Sequence, residues 1–308
     1  MNYLVTGGAG FIGSNIVEEL LKRNEKVRVL DNFSTGKREN LKQFEKDIEL
    51  IEGDIRSYHI VKRAVEGIDI VFHQAALPSV PRSIHDPITT NEVNAGGTLN
   101  MLDASKDAGV RKFIFASSSS VYGDSPELPK HEKLVTNPLS PYAVSKLAGE
   151  KYCQVFAKVY SLHTVSLRYF NVFGPRQDPN SQYSAVIPKF IKLISNYQSP
   201  IIYGDGKQTR DFTYVANVVD ANLLAASKEC DPGIVMNCAC NDQIELNYLI
   251  KQINKLLRKN VKPIYSNIRK GDILHSYADI TLISKILKWQ PKFSFDEGLK
   301  HLIRINNH

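Results

Sequence analysis

TGGAGFIG, from Thr6 to Gly13, lies between an apolar run and a helical pattern. The run before it is NYLVT, from Asn2. After it, Phe11, Ile12, Ile16, Val17, Leu20 and Leu21 fall on one helical face. The glycines satisfy two spacings, Gly8-x-Gly10-x-x-Gly13 and Gly7-x-x-Gly10-x-x-Gly13. Glycines at a strand–turn–helix junction permit a tight turn, backbone approach to a pyrophosphate, and close helix–strand packing. The helix N-terminus adds unpaired N–H groups and the positive end of its dipole. A glycine pattern alone is weak, but this one sits in the context the motif demands. It reads as the start of a dinucleotide-binding domain.

The second apolar run, KVRVLD from Lys26, ends on Asp31, 18 residues past Gly13. A carboxylate there accepts the ribose hydroxyls of NAD and repels the 2′-phosphate of NADP. Lys37 and Arg38 follow closely and could soften that repulsion, so NAD is favoured rather than imposed. Asp54, with Ile55 after it, closes a third run and is placed to meet the adenine. Further runs are DIVFHQAA from Asp69, KFIFAS from Lys112 and TVSLRYF from Thr164. They are short, apolar and rich in Val, Ile and Phe, as strands buried on both faces should be. A helix containing Leu99, Met101 and Leu102 stops near Gly109.

Strand–helix alternation of this kind predicts an α/β fold, a Rossmann-type doubly wound parallel sheet. Beyond Phe173 the texture changes to GPRQDPNSQYS, a helical AVIPKFIKLIS, and the turn-rich YGDGKQTRD. Residues 1–173 are therefore expected to form the dinucleotide-binding domain, with roughly 210–240 returning to it. Residues 174–308 are expected to be mostly a smaller, mixed α/β substrate lobe.

The 308 residues carry 39 Lys and Arg against 32 Asp and Glu, but the cations are scattered singly. That argues against a nucleic-acid surface. Cys153, Cys230, Cys238 and Cys240 lack the spacing and the nearby histidines of a zinc set, so no metal is expected. No apolar run is long enough to span a bilayer, and the chain opens on a strand rather than a signal peptide. The expectation is a cytoplasmic protein.

SPYAVSK runs from Ser140 to Lys146. Ser140 suits an N-cap and Pro141 the first helical position. Tyr142 and Lys146 then share one helix face. A phenol has a pKa of about 10 in water, and a nearby ammonium favours the phenolate. The pair can take a proton from a hydroxyl while hydride leaves for NAD⁺. Tyr-x-x-x-Lys is common on surfaces; the glycine loop and the serine-rich strand end FASSSSVYGD, from Phe115, give it weight.

In this order, TGGAGFIG, DNFSTG, HQAA, SSSSVYG, SPYAVSK and LRYFNVFGPRQ resemble the extended short-chain dehydrogenase/reductase family. Within that family the chain is similar to the nucleotide-sugar 4-epimerases. The resemblance covers essentially the whole chain. It implies a tightly held NAD contacted by Gly7, Gly10, Phe11, Ile12, Asp31, Asn32, Ser34, Gly36, Asp54, Ile55, Ala75, Asn94, Tyr142, Lys146 and Tyr169. It implies Ser118, Tyr142 and Lys146 as catalytic residues, with Ser119 and Ser120 at or near the sugar. It further implies Asn171, Val186, Arg210, Arg269 and Asp272 as nucleotide-sugar contacts, and a homodimer formed by the helices around Leu99 and Lys151.

Related dehydratases and decarboxylases carry acidic residues before VYG, where this chain has Ser118-Ser119-Ser120. A 4-keto sugar would then simply regain hydride, which is epimerisation. Pro78 stands where galactose-pathway epimerases commonly carry lysine. Ser276 occupies the place of a residue that gates the sugar 2-substituent; a small side chain there leaves room for an acetamide, unless Tyr277 closes the pocket. The leaning is toward UDP-N-acetylglucosamine. UDP-glucose, a UDP-hexuronate held through Arg82 or Arg176 and a nucleotide-sugar reductase stay as alternatives, though Asp31 argues against the reductase; the presence of Tyr142 and Lys146 argues against an inactive NAD-binding regulator.

Overall fold

The computed structural model describes residues 1–178, 186–267 and 274–306. Seven parallel strands form its central sheet: β1 (Asn2–Thr6), β2 (Lys26–Asp31), β3 (Ile48–Glu52), β4 (Ile70–His73), β5 (Lys112–Ser118), β6 (Thr164–Tyr169) and β7 (Ile234–Cys238). Their spatial order is β7-β6-β5-β4-β1-β2-β3. This is the expected doubly wound, Rossmann-type sheet. The order reverses at β1, which pairs with β2 on one side and β4 on the other. A crevice therefore opens at the carboxyl ends of β1 and β4, where such sheets bind ligands.

The interior strands follow a period of two. Val5, Val29, Phe72, Ile114 and Leu167 face one core; Leu4, Leu30, Val71, Phe113 and Phe115 face the other. Apolar side chains on both faces explain why these strands read as continuous hydrophobic runs. β3 is an edge strand, and it exposes Glu49, Leu50 and Glu52. Charges on an edge discourage pairing with another chain.

Helix α1 (Phe11–Lys22) covers the first face. Helices α2 (Tyr58–Val65), α3 (Gly97–Asp107) and α4 (Pro141–Tyr160) cover the second. Helix α5 (Val215–Ser227) joins α1 on the first face. That core continues into the lobe through Ile187, Phe190, Leu249, Ile253, Leu299 and Trp289. The Trp289 indole N–H donates to the Asn217 carbonyl at 3.2 Å.

The lobe's own strands are short. Thr209–Arg210 lies between Ile244–Glu245, antiparallel, and His275–Ser276, parallel. Val172–Phe173 pairs with Thr213–Tyr214, and Ile201–Tyr203 with Ile264–Ser266. Among the described residues, no helix is long and apolar enough to cross a membrane.

Candidate active site

The turn after β1 is built around a backbone that side chains would obstruct. Gly7 has φ +67, a left-handed conformation that disfavours a Cβ, and a Cβ there would lie 2.7 Å from the Ala75 nitrogen. A Cβ on Gly13 would overlap the Gly7 carbonyl oxygen. The result is an open cradle of backbone at the N-terminus of α1, lined by Gly7, Gly10, Phe11 and Ile12. It leads into a cleft of about 760 Å³.

Asp31, Asn32, Ser34 and Gly36 line one end of the cleft, with Asp54 and Ile55 beside them. The Asp31 carboxylate accepts from Ala9 N–H at 2.9 Å and from Phe33 N–H at 2.8 Å. Burial nevertheless raises its pKa, against the pull of those two donors. Asn32 donates to the Asp54 carboxylate at 2.9 Å and accepts from Ser34 N–H at 3.0 Å. Arg56 hydrogen-bonds Asp54 and holds its pKa below the ordinary value. Each cation that could have welcomed a 2′-phosphate faces an acid: Lys37 meets Asp178 at 3.1 Å and Arg38 meets Glu52 at 2.5 Å. These residues fit NAD: a glycine cradle at a helix start, and a carboxylate with room for ribose.

The wall at β4 rests on a buried relay. Ala75 N–H donates to Thr6 Oγ1, 3.2 Å away, and Thr6 Oγ1 lies 2.7 Å from His73 Nδ1. His73 Nε2 lies 2.9 Å from Thr98 Oγ1, whose proton goes to the Asn94 carbonyl at 2.5 Å. That order makes Nε2 the donor and Nδ1 the acceptor, a neutral imidazole. Burial pushes the His73 pKa down to about 3, with Lys146 adding to the effect.

Asn94 is not at the cleft surface. Its carboxamide accepts from Leu77 N–H at 2.7 Å and donates to Ser145 Oγ at 3.0 Å, so it braces the wall from behind. Ala75, Tyr142, Lys146 and Tyr169 do line the cleft. Tyr169 is held there by a 3.0 Å hydrogen bond to Asn222.

Ser140 caps α4, its hydroxyl accepting from Ala143 N–H at 3.2 Å. Such a cap contributes about 1 kcal/mol. The helix carries Tyr142, Lys146 and Glu150 in successive turns of one face. Lys146 Nζ donates to the Ala116 carbonyl at 2.8 Å, and burial lowers its pKa to about 8. Glu150 is clamped by Nε and Nη2 of Arg168, at 2.8 and 2.7 Å, and accepts a hydrogen bond from Ser117. A carboxylate thus lies behind the serine strand end, but it is buried and both its oxygens are already engaged by Arg168 and Ser117.

At the strand end, the Ser120 hydroxyl donates to Ser118 Oγ at 2.9 Å, and Ser118 hydrogen-bonds Tyr142. Ser118, Ser119 and Ser120 are all half-buried. Burial raises the Tyr142 pKa, and the Ser118 hydrogen bond only partly offsets it. The expected lowering by Lys146 does not prevail within the protein, because its ammonium turns to the Ala116 carbonyl, 6.0 Å from the Tyr142 ring centre.

Beyond the cleft, Asn171 is exposed at φ +33 and donates to the Asp211 carbonyl at 3.1 Å. Arg210 pairs in register with Ser276 and donates to the Thr209 carbonyl at 2.8 Å. Val186 begins the helix Val186–Ser195, half-buried against the core. Arg269 and Asp272 lie outside the described residues. Arg82 and Arg176 both line the cleft, and Arg176 is paired with Glu18 at 2.6 Å.

Sequence reasoning passed over His73, Glu150, Arg168 and Asp211. Asp211 is fully buried; burial pushes its carboxyl up to about 7, although the N–H groups of Cys240, Ala278 and Asp242 pull it down. The four cysteines are free, and burial pushes the Cys153 and Cys240 thiols up to about 12. Among the described residues, no group of three or more His, Cys, Asp or Glu gathers in a metal-binding arrangement.

A UDP-N-acetylglucosamine 4-epimerase from Methanobrevibacter ruminantium M1, solved with UDP-N-acetylmuramic acid, is 41% identical to this chain. It superposes with a TM-score of 0.95, over 100% of this chain and 99% of that one. The UDP-glucose 4-epimerase of Thermotoga maritima, solved with UDP-glucose, is 37% identical, with a TM-score of 0.94 over the same shares. The UDP-glucuronate 4-epimerase of Thermodesulfobacterium geofontis is 36% identical over 98% of this chain and 94% of its own length. The profile of the NAD dependent epimerase/dehydratase family matches residues 3–239. With a cleft built for a dinucleotide and a Tyr–Lys pair on its floor, the chain belongs to that family and is an NAD-dependent enzyme.

Proposed function

We propose that the protein inverts C4 of a UDP-linked sugar, with UDP-N-acetylglucosamine as its preferred substrate. The observation that carries the reaction type is the Ser120–Ser118–Tyr142 hydrogen-bond chain at the end of β5. Its members exchange protons, and the nearby Glu150 is committed to Arg168 and Ser117. NAD held by the glycine turn and Asp31 would supply the hydride acceptor and donor, and its oxidised ring would carry positive charge into the cleft that Tyr142 lines. Tyr142 takes the O4 proton as hydride leaves C4, giving a 4-keto sugar. Ser118 orients O4 and relays hydrogen bonding from Ser120. When the ketone is presented by its other face, hydride returns to C4 and Tyr142 gives the proton back. Among the described residues at the end of β5, no uncommitted carboxylate stands ready to drive loss of water or carbon dioxide, which favours return of hydride to the ketone.

The sugar preference rests on Ser276, a small residue in register with Arg210. Relatives of similar identity act on different sugars, so identity does not choose among them. A hexuronate would need a cation for its extra carboxylate, and Arg176 is already paired with Glu18. We also infer a homodimer through α3 and α4. Val144, Val155 and Val159 project from α4 to solvent at 50%, 49% and 62% exposure. Apolar side chains left at the surface of one helix face, here interspersed with the exposed Lys151 and Lys158, are the kind a partner subunit can cover.

The test is incubation with UDP-N-acetylglucosamine, UDP-glucose and UDP-glucuronate, without added cofactor, followed by NMR. A C4 epimer of the first is expected in greatest yield. Ser276→Tyr should suppress that product more than the UDP-glucose product. Absence of any C4 epimer would refute the reaction, and equal loss of both products would refute the gate.

A further inference from the structure

Asp211 joins the separate pieces of the proposed sugar-nucleotide site. Its Oδ1 accepts from Cys240 N–H at 2.8 Å and its Oδ2 from Ala278 N–H at 3.2 Å. Its own N–H donates to the Ser276 carbonyl at 3.0 Å, and its carbonyl accepts from the Asn171 side chain at 3.1 Å. One fully buried residue is thereby bonded to three segments far apart in the chain. Asn171, Arg210 and Ser276 are each one hydrogen bond or one peptide bond away from it. The carboxylate is answered by backbone N–H groups rather than by a cation. A buried carboxylate held in this way fixes the backbone that supplies its donors, because each donor would otherwise be buried unpaired.

We propose that Asp211 is a positioning residue of the substrate site. It sets the spacing of Asn171, Arg210 and Ser276 so that the diphosphate and the sugar 2-substituent are gripped together. This rests on the UDP-sugar reading above.

The proposal separates substrate affinity from chemistry. Asp211→Asn keeps size and shape but turns an NH₂ toward one or more of the backbone donors that the carboxylate now accepts from. In the NAD-loaded enzyme it should raise the Kd for UDP and the KM for the UDP-sugar by about tenfold or more. The value of kcat and the bound NAD content should stay near wild type, which general unfolding would not allow. Wild-type enzyme that fails to bind UDP overturns the proposed function and this inference with it. Wild-type binding that Asp211→Asn leaves intact overturns the inference alone. A second readout needs no variant: in wild-type holoenzyme, UDP should slow amide hydrogen exchange at 238–242 and 276–278 together. Protection confined to one of the two segments would also refute the coupling.

Discussion

Tyr142 is under two opposing influences. Burial raises its pKa, and the hydrogen bond from Ser118 lowers it. The phenol is therefore protonated at neutral pH until more positive charge or the substrate hydroxyl arrives. Tyr142→Phe should cut epimerisation by a factor on the order of 10² to 10⁴, the usual worth of a positioned acid–base group. Bound NAD should survive, since the glycine cradle and Asp31 are untouched; the checks are turnover by NMR and absorbance of the released nucleotide. The spacing of Tyr142 and Lys146 was legible because an i, i+4 pair on a capped helix must share a face. That Lys146 turns to Ala116 was not, since the carbonyl it meets belongs to a strand 30 residues earlier. The order of the serines was hidden for a similar reason. Only the turn after β5 reveals that Ser120 donates to Ser118.

At the level of elements, β1, β4 and α3 meet through one imidazole. His73 reaches Thr6 on β1 and Thr98 on α3. Its folded pKa, about 3, lies below the ordinary 6.5. Above pH 6.5 both folded and unfolded chains carry it neutral. Below that, the unfolded chain takes up a proton that the folded protein refuses. Stability should therefore fall with pH from 6.5 toward 3, by at most about 1.4 kcal/mol per unit from this group. Asp31, Glu132 and Asp211 have raised pKa values and act in the opposite sense. The clean reading is the difference between wild type and His73→Asn in urea unfolding, which should shrink between pH 7.5 and 5. A constant difference would show that His73 is not held neutral. HQAA was visible as a motif, but the partners of its histidine lie 67 and 25 residues away. Asn94 illustrates the same limit: it sits in a turn of π-helix, Glu92–Gly96, with its side chain turned to Leu77 and Ser145.

Across the whole molecule, the sheet was the legible part. Strands buried on both faces announce themselves as apolar runs, and the glycine turn gives them a starting point. Helix α2 did not stand out, because YHIVKRAV is eight residues long and mixes β-branched with charged side chains. In the lobe the helix expected in AVIPKFIKLIS is present at Val186–Ser195, but the rest was read only in texture. Its strands are two or three residues long and pair across wide gaps, as Thr209–Arg210 does with His275–Ser276. No local pattern encodes such pairing. The valines of α4 bear on assembly: Val155→Asp with Val159→Asp should yield monomers in analytical ultracentrifugation while NAD stays bound. An unchanged sedimentation coefficient would place the subunit contact elsewhere.

Two ion pairs at the rim of the cleft have a kinetic meaning. Lys37 with Asp178, and Arg176 with Glu18, tie the chain beyond β6 to the loop after β2 and to α1. The Lys37–Asp178 pair is largely exposed and adds little to folding, while Arg176 and Glu18 are half-buried. Lys37, Arg176 and Asp178 also line the cleft whose glycine turn and Asp31 would hold NAD, so a bound dinucleotide would have these pairs at its border. An enzyme that restores its redox partner at the end of every cycle has no need to release it. Ionic strength should therefore govern how fast NAD exchanges with solution far more than how fast sugar is turned over.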